Sequence, residues 1–347
     1  MIIKPLSLKT LEKKYAELGL PVEKTELLHE YFRCFANLYG VISVRDAWDV
    51  FRHYEGIGAI RRKDFAAFSG IVQREAGHPY TILELKEAYR GETTDSPLDR
   101  LIVNNRLIRP GYGKYTLLYN TVDFQNGKQY YLPAEKREFL AHSEDRFYLS
   151  PEGERMVRFL GQLKTNGIYK DYDGKTRGEI LDVDGKSVAG KRLSDFAFYT
   201  RNEQFEIEYV KRGSQKEQLR REYRRAALDK LLDCIFVHLQ TGGYVPRQSV
   251  TDFMCFILES MDEDYGISLN KKQFAEFADL FVNLNNRSHL WLNCGWRPYE
   301  LLREEGQPFP RSISVGPNIK KMLENGELDR EELERHLKEI GITASFE

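Results

Sequence analysis

Leu38-Tyr39-Gly40-Val41-Ile42-Ser43-Val44-Arg45-Asp46 holds the end of one helix and the start of the next. Upstream, Leu27, Leu28, Tyr31, Phe32, Phe35 and Leu38 recur at helical spacing, and Gly40 is the residue type that closes a helix. Downstream, Ser43 is an N-cap with Asp46 at N3, and Ala47, Trp48, Phe51 and Tyr54 give the new helix an apolar face. The chain therefore reads as a series of short, sharply punctuated helices.

Working outward, Ser7 opens an earlier helix that Gly19 and Pro21 close, and a fourth helix runs from Asp64 to about Glu75. A further helical segment lies near Ile82 to Tyr89. Strand texture is expected at Arg106–Arg109 and Tyr115–Tyr119, joined through Pro110-Gly111-Tyr112-Gly113. Helices followed by a hairpin are the ingredients of a winged-helix-like module over residues 1–120. Connecting helices fill 121–165, one at about Pro133–Leu140 and one capped by Ser150 with Pro151 at N1. A small β insertion is expected over 166–213, with Asp173-Gly174 and Asp184-Gly185 as turns and Phe205, Ile207 and Tyr209 alternating with acids as a strand. Residues 214–347 read as a C-terminal helical bundle. Capping boxes at Ser214/Glu217, Asn270/Gln273 and Asp329/Glu332 open three of its helices, and a fourth lies near Val250–Met261. The fold class is mainly α with minor β, an α+β arrangement.

The chain has 347 residues, with 52 Lys+Arg against 53 Asp+Glu. This balance argues against a surface coated in positive charge, while leaving room for local basic patches. Four cysteines without a CxxC pair indicate neither a disulfide framework nor a zinc knuckle, and fit a reducing cytoplasm. No apolar run is long enough to span a bilayer, so no membrane association is expected.

Two basic groups stand out. Arg61, Arg62, Lys63 and Arg74 surround the fourth helix, where a nucleic-acid reader would touch phosphates. Arg220, Arg221, Arg224 and Arg225 would spread over one face of a continuous Ser214–Gln240 helix and could run along a phosphate backbone, although interleaved Glu217 and Glu222 also suit a solvated face.

Catalytic signatures are sparse. The repeated Asp171-Tyr172-Asp173-Gly174-Lys175 and Asp182-Val183-Asp184-Gly185-Lys186 fail the EF-hand count. They leave a metal-dependent nuclease or other phosphodiester hydrolase as the alternative reading, with Asp171 or Glu179, Asp182 and Asp184 holding Mg²⁺ and Lys186 orienting water; ordinary hairpin turns carrying solubilising charges are the preferred reading of both repeats. Gly174-Lys175-Thr176 lacks the first P-loop glycine, and GxSxG, HExxH and a complete GxGxxG are missing. Cys234 and His238, four apart in an apolar stretch, read as core residues rather than zinc ligands. No catalytic residue, metal ligand or cofactor is assigned.

The most distinctive segment is Asn285-Asn286-Arg287-Ser288-His289-Leu290-Trp291-Leu292-Asn293-Cys294-Gly295-Trp296. With Arg297-Pro298-Tyr299-Glu300-Leu301, and with Leu38–Ile42 and Tyr130–Tyr148, it resembles uncharacterised bacterial cytoplasmic proteins, some of which bear a SEC-C zinc motif. The SEC-C cysteines are absent here, so the resemblance implies a cytoplasmic protein without carrying over zinc. Asn285, Asn286, Arg287, His289, Trp291, Asn293 and Trp296 make a ligand cluster if the rings and amides hold a base, sugar or peptide. They are structural if they cap a helix and dock the following arm. Together these readings point to a non-enzymatic binding or regulatory protein that engages a protein or a nucleic acid.

Overall fold

The computed structural model describes residues 5–88, 96–109, 113–171, 173–243 and 250–304, and short stretches within 312–345. The chain divides into two compact units, 1–296 and 297–347. It is mainly helical with small sheets. The first unit begins with α1 (Leu8–Leu18), α2 (Val22–Tyr39), β1 (Val41–Ser43), α3 (Val44–Glu55), α4 (Arg62–Val72), β2 (Tyr80–Leu83), the short α5 (Leu85–Ala88) and β3 (Leu101–Asn104). It continues with α6 (Thr116–Gln125), α7 (Lys136–Leu140), α8 (Pro151–Gln162), β4 (Ile168–Lys170), β5 (Thr176–Glu179), β6 (Ala197–Phe198), α9 (Arg201–Tyr209) and α10 (Gly213–Tyr223). It ends with β7 (Arg225–Ala226), α11 (Ala227–Thr241), α12 (Val250–Glu263) and α13 (Lys271–Arg287). In the second unit, α14 (Pro298–Glu304) precedes β8 (Ser312–Ser314), which pairs in parallel with β9 (Thr343–Ser345).

Local chemistry sets the helix starts. The hydroxyls of Ser7, Ser43 and Ser150 accept from the amides of Thr10, Asp46 and Gly153, and Asn270 with Gln273 forms a reciprocal capping box. Glu332, the partner expected for Asp329, lies outside the described residues.

The first sheet has the antiparallel order β1-β3-β2, with Ile42 opposite Ile102 and Ile102 opposite Ile82. It separates two cores. Ile42, Ile82 and Ile102 face an aromatic cluster of Phe32, Phe35, Phe51, Phe65 and Phe68 beneath α2, α3 and α4. Val41, Leu83, Leu101 and Val103 face the second cluster, with Leu160, Ile235, Phe236, Ile257 and Phe281 from the later helices. All four residues of β3 are consequently buried, as a strand covered on both faces requires. Each fully buried isoleucine contributes roughly 2 kcal/mol of apolar transfer free energy. The second cluster draws on both sides of the expected borders at 120, 165 and 213.

Three expected elements differ. Arg106 and Leu107 lie in a single 3-10 turn, and Thr116–Gln125 is the helix α6 rather than the second arm of a hairpin. Its buried Leu117, Leu118, Thr121 and Gln125 share one helical face, and the Thr121 hydroxyl donates to the Leu117 carbonyl. Pro110, Gly111 and Tyr112 lie outside the described residues. Phe205, Ile207 and Tyr209 belong to the helix α9, opened by a Thr200/Glu203 capping box; only Ile207 is buried, so the alternation did not mark a buried strand face. The Ser214 box does not form. Arg212 is the N-cap of α10 without a side-chain bond, and the expected long helix breaks where Phe198 pairs with Arg225 and Ala197 with Ala226.

Candidate nucleic-acid interface

α4 turns Phe65, Phe68 and Val72 into the aromatic core, buries Ile71, and leaves Arg62, Lys63 and Ala67 exposed. Its N-cap, Arg61, offers no side-chain acceptor to the first-turn amides. Instead, Arg61 Nε and Nη2 donate to the two carboxylate oxygens of Asp64, at 2.6 and 3.1 Å. The amides of Arg62 and Lys63 thus lie beside two exposed cations, with the Asp64 carboxylate of the same turn held by Arg61, a start that suits an anion. Arg74, past the end of α4, is half-buried, and its carbonyl accepts from the Leu6 amide at 2.9 Å.

Both ends of the β2–β3 connection are fixed to α4. Glu84 Oε1 accepts from Arg100 Nε at 2.7 Å and from Gln73 Nε2 at 3.2 Å, while Arg100 Nη1 donates to Ser69 Oγ at 3.4 Å. Gly70 makes this approach feasible: a Cβ there would stand 2.9 Å from Arg100 Nη1.

The second arginine group does not share a helical face. Arg220 and Arg221 occupy the last turn of α10, Arg224 is its C-cap and Arg225 lies in β7. All four are exposed, and Arg221 pairs with Glu217 at 3.2 Å.

The Asp-rich repeats are self-capped turns. Asp171 Oδ1 accepts from the amides of Asp173 and Lys175, and Asp182 Oδ1 from those of Asp184 and Lys186. Their other oxygens meet Arg177 and Lys191. These bonds hold both carboxyls below their ordinary pKa, with burial opposing. Among the described residues these acids do not gather three potential metal-ligand atoms, and neither do Cys234 and His238. His238 Nδ1 instead lies 2.8 Å from the Cys234 carbonyl.

The Asn285–Trp296 residues are mainly engaged with the protein. Trp291 is buried: its Nε1 donates to the Asn37 carbonyl and its amide to Gln240 Oε1, and its carbonyl accepts from Gln125 Nε2, each at 2.8 Å. Asn285 is buried and donates to Asn286 Oδ1, and Arg287 pairs with Glu152. His289 Nδ1 lies 2.6 Å from the Gly295 carbonyl, Asn293 Oδ1 accepts from Lys128, and Trp296 Nε1 donates to the Gln129 carbonyl. With its ring and polar atoms committed, Trp291 offers no face to a ligand.

One cluster lay outside the sequence reading. His29 on α2, Glu75 after α4 and His78 before β2 each place a ligand atom within 4.8 Å of the others. Glu75-x-x-His78 was a readable fragment; the tertiary approach of His29 was not. Among the described residues, no helix is long and apolar enough to cross a membrane. No family model matches the chain, and searches of curated proteins and of solved structures return no match.

Proposed function

We propose that residues 22–104 form a winged-helix module and that the protein is a non-enzymatic binding protein which lays α4 along a nucleic-acid duplex. The observation carrying this reading is the element order helix, strand, helix, helix, strand, short helix α5, strand with sheet order β1-β3-β2. In that order α4 takes the place of the recognition helix, and Glu84 and Arg100, at the described ends of the β2–β3 connection, stand where a wing would leave and rejoin the sheet. The exposed Arg62 and Lys63 at the uncapped start of α4 support a phosphate contact, and four free cysteines suit a reducing cytoplasm.

Fluorescence anisotropy with a labelled duplex across a salt series tests this. The affinity should fall steeply with salt, and R62A/K63A should flatten the log–log slope by about 2, near 0.9 per lost phosphate contact. The duplex should stay uncut in Mg²⁺. An absence of binding at low salt, or an unchanged slope in the double variant, contradicts the reading and leaves a protein partner as the target.

A further inference from the structure

We propose that His29, Glu75 and His78 form a binding site for a divalent first-row transition ion of the zinc class. Two imidazoles and a carboxylate are a donor set that such ions take readily, with a fourth position left to water. Glu75 Oε2 lies 3.9 Å from His29 Nε2 and 3.4 Å from His78 Nε2. Metal bonds of about 2.0–2.2 Å in a tetrahedron set ligand atoms roughly 3.4 Å apart. The carboxylate and His78 are therefore already at ligand spacing, and His29 Nε2 stands about half an ångström too far from Glu75.

The surroundings resemble the outer partners that orient metal ligands. Tyr15, on α1, donates its hydroxyl to Glu75 Oε2 at 2.5 Å and lies 3.2 Å from His29 Nε2. Tyr80 Oη stands 3.4 Å from His29 Nδ1, within reach to orient the ring while Nε2 faces Glu75. His78 Nε2 is buried without a hydrogen-bond partner, a cost that a bound ion removes.

The site is neither sealed nor on the open surface: the side chains of His29, Glu75 and His78 are 16%, 22% and 18% exposed, which leaves an entry path. The two imidazoles stack with centroids 4.9 Å apart and planes 21° from parallel. Stacked rings do not aim at one point, so loading rotates at least one of them.

A bound ion would also act mechanically. α1 buries only Leu11, and Tyr15 joins it to the segment that follows α4. Fixing Glu75 on a metal tightens that junction, independently of whether α4 meets nucleic acid.

The test is calorimetric titration of the metal-stripped full chain with Zn²⁺ at neutral pH, paired with Co²⁺ absorption and amide exchange over residues 8–18. One ion per chain is expected, with a Co²⁺ spectrum lacking thiolate charge transfer and slower exchange in α1 when zinc is present. Y15F should weaken binding by about 10- to 100-fold, as loss of an outer partner does, and H29A and H78A by more. E75Q, which keeps the side-chain volume, should also bind more weakly while retaining the native circular dichroism spectrum. Absence of saturable one-to-one binding, binding that survives H29A/H78A, or thiolate bands from the cysteines would overturn the assignment.

Discussion

Replacing Gly40 with alanine should destabilise the protein by about 2–6 kcal/mol, the sum of two separable costs. Gly40 closes α2 at φ 72° and ψ −52°, where an L side chain is strained by about 1–3 kcal/mol. An added Cβ would also lie 2.5 Å from Cδ2 and 2.6 Å from Cγ of the Trp291 indole. That ring cannot simply retreat. Its Nε1 is bound to the Asn37 carbonyl, its backbone is bound to Gln240 and Gln125, and Phe236 meets it edge-on at a centroid distance of 5.1 Å. Overpacking against a fixed partner adds about 1–3 kcal/mol. Gly19→Ala is the matched control: Gly19 closes α1 at φ 69° with nothing within 4 Å of an added Cβ. It should carry only a strain cost of about 1–2 kcal/mol. Urea unfolding of both variants and of G40A/W291A measures the difference. Strong non-additivity in the double variant is expected, since the two residues touch. If G40A costs no more than G19A, the close packing of Trp291 on the end of α2 is wrong.

Two further expectations rest on buried titrating groups. Burial holds His238 below its ordinary value of 6.5, against the opposing effect of its bond to the Cys234 carbonyl, with Phe253 and Phe256 packed on the ring. The unfolded chain therefore takes up this proton more readily, so the stability is fully present above about pH 6.5 and declines as the pH falls below it. Comparing urea midpoints at neutral and mildly acid pH should show a smaller acid loss in H238Q than in the wild type; equal losses would remove His238 from the explanation. Among the cysteines, burial pushes Cys234 up to about 12 and Cys294 up to about 11 and raises Cys34 strongly; Cys255 is raised as well, but it alone of the four is exposed. A thiol reagent should label one group quickly in the native chain, and C255S should abolish that phase; a second fast thiol would contradict the packing.

The features legible in the sequence were those fixed within one turn of chain. Ser7, Ser43, Ser150 and Asn270 cap helices because the side chain and the amide it binds lie three residues apart. What escaped depends on distant partners. Nothing between Ser214 and Gln240 marks a break, because neither glycine nor proline stands there; the break at Arg225 comes from pairing with Phe198. The alternation at Phe205–Tyr209 looked like a strand, yet Phe205 and Tyr209 are 68% and 79% exposed, and the earlier Thr200/Glu203 box decided for helix. Sheet strands were sought at 106–119, although Tyr80–Leu83 and Leu101–Asn104 supply them, because pairing with Val41–Ser43 is a tertiary property. At the candidate sites, the local chemistry of Arg62 and Lys63 was readable. The burial of Trp291 and the approach of His29 to Glu75 and His78 required the folded chain.

Amide hydrogen exchange of the full chain with and without a duplex, at low salt, tests the central claim most directly. Protection should concentrate in α4 and the adjoining ends of the 84–100 connection, and should disappear in R62A/K63A. Protection centred instead on residues 213–226, or none anywhere at saturating duplex, would contradict the assignment of α4 as the binding element.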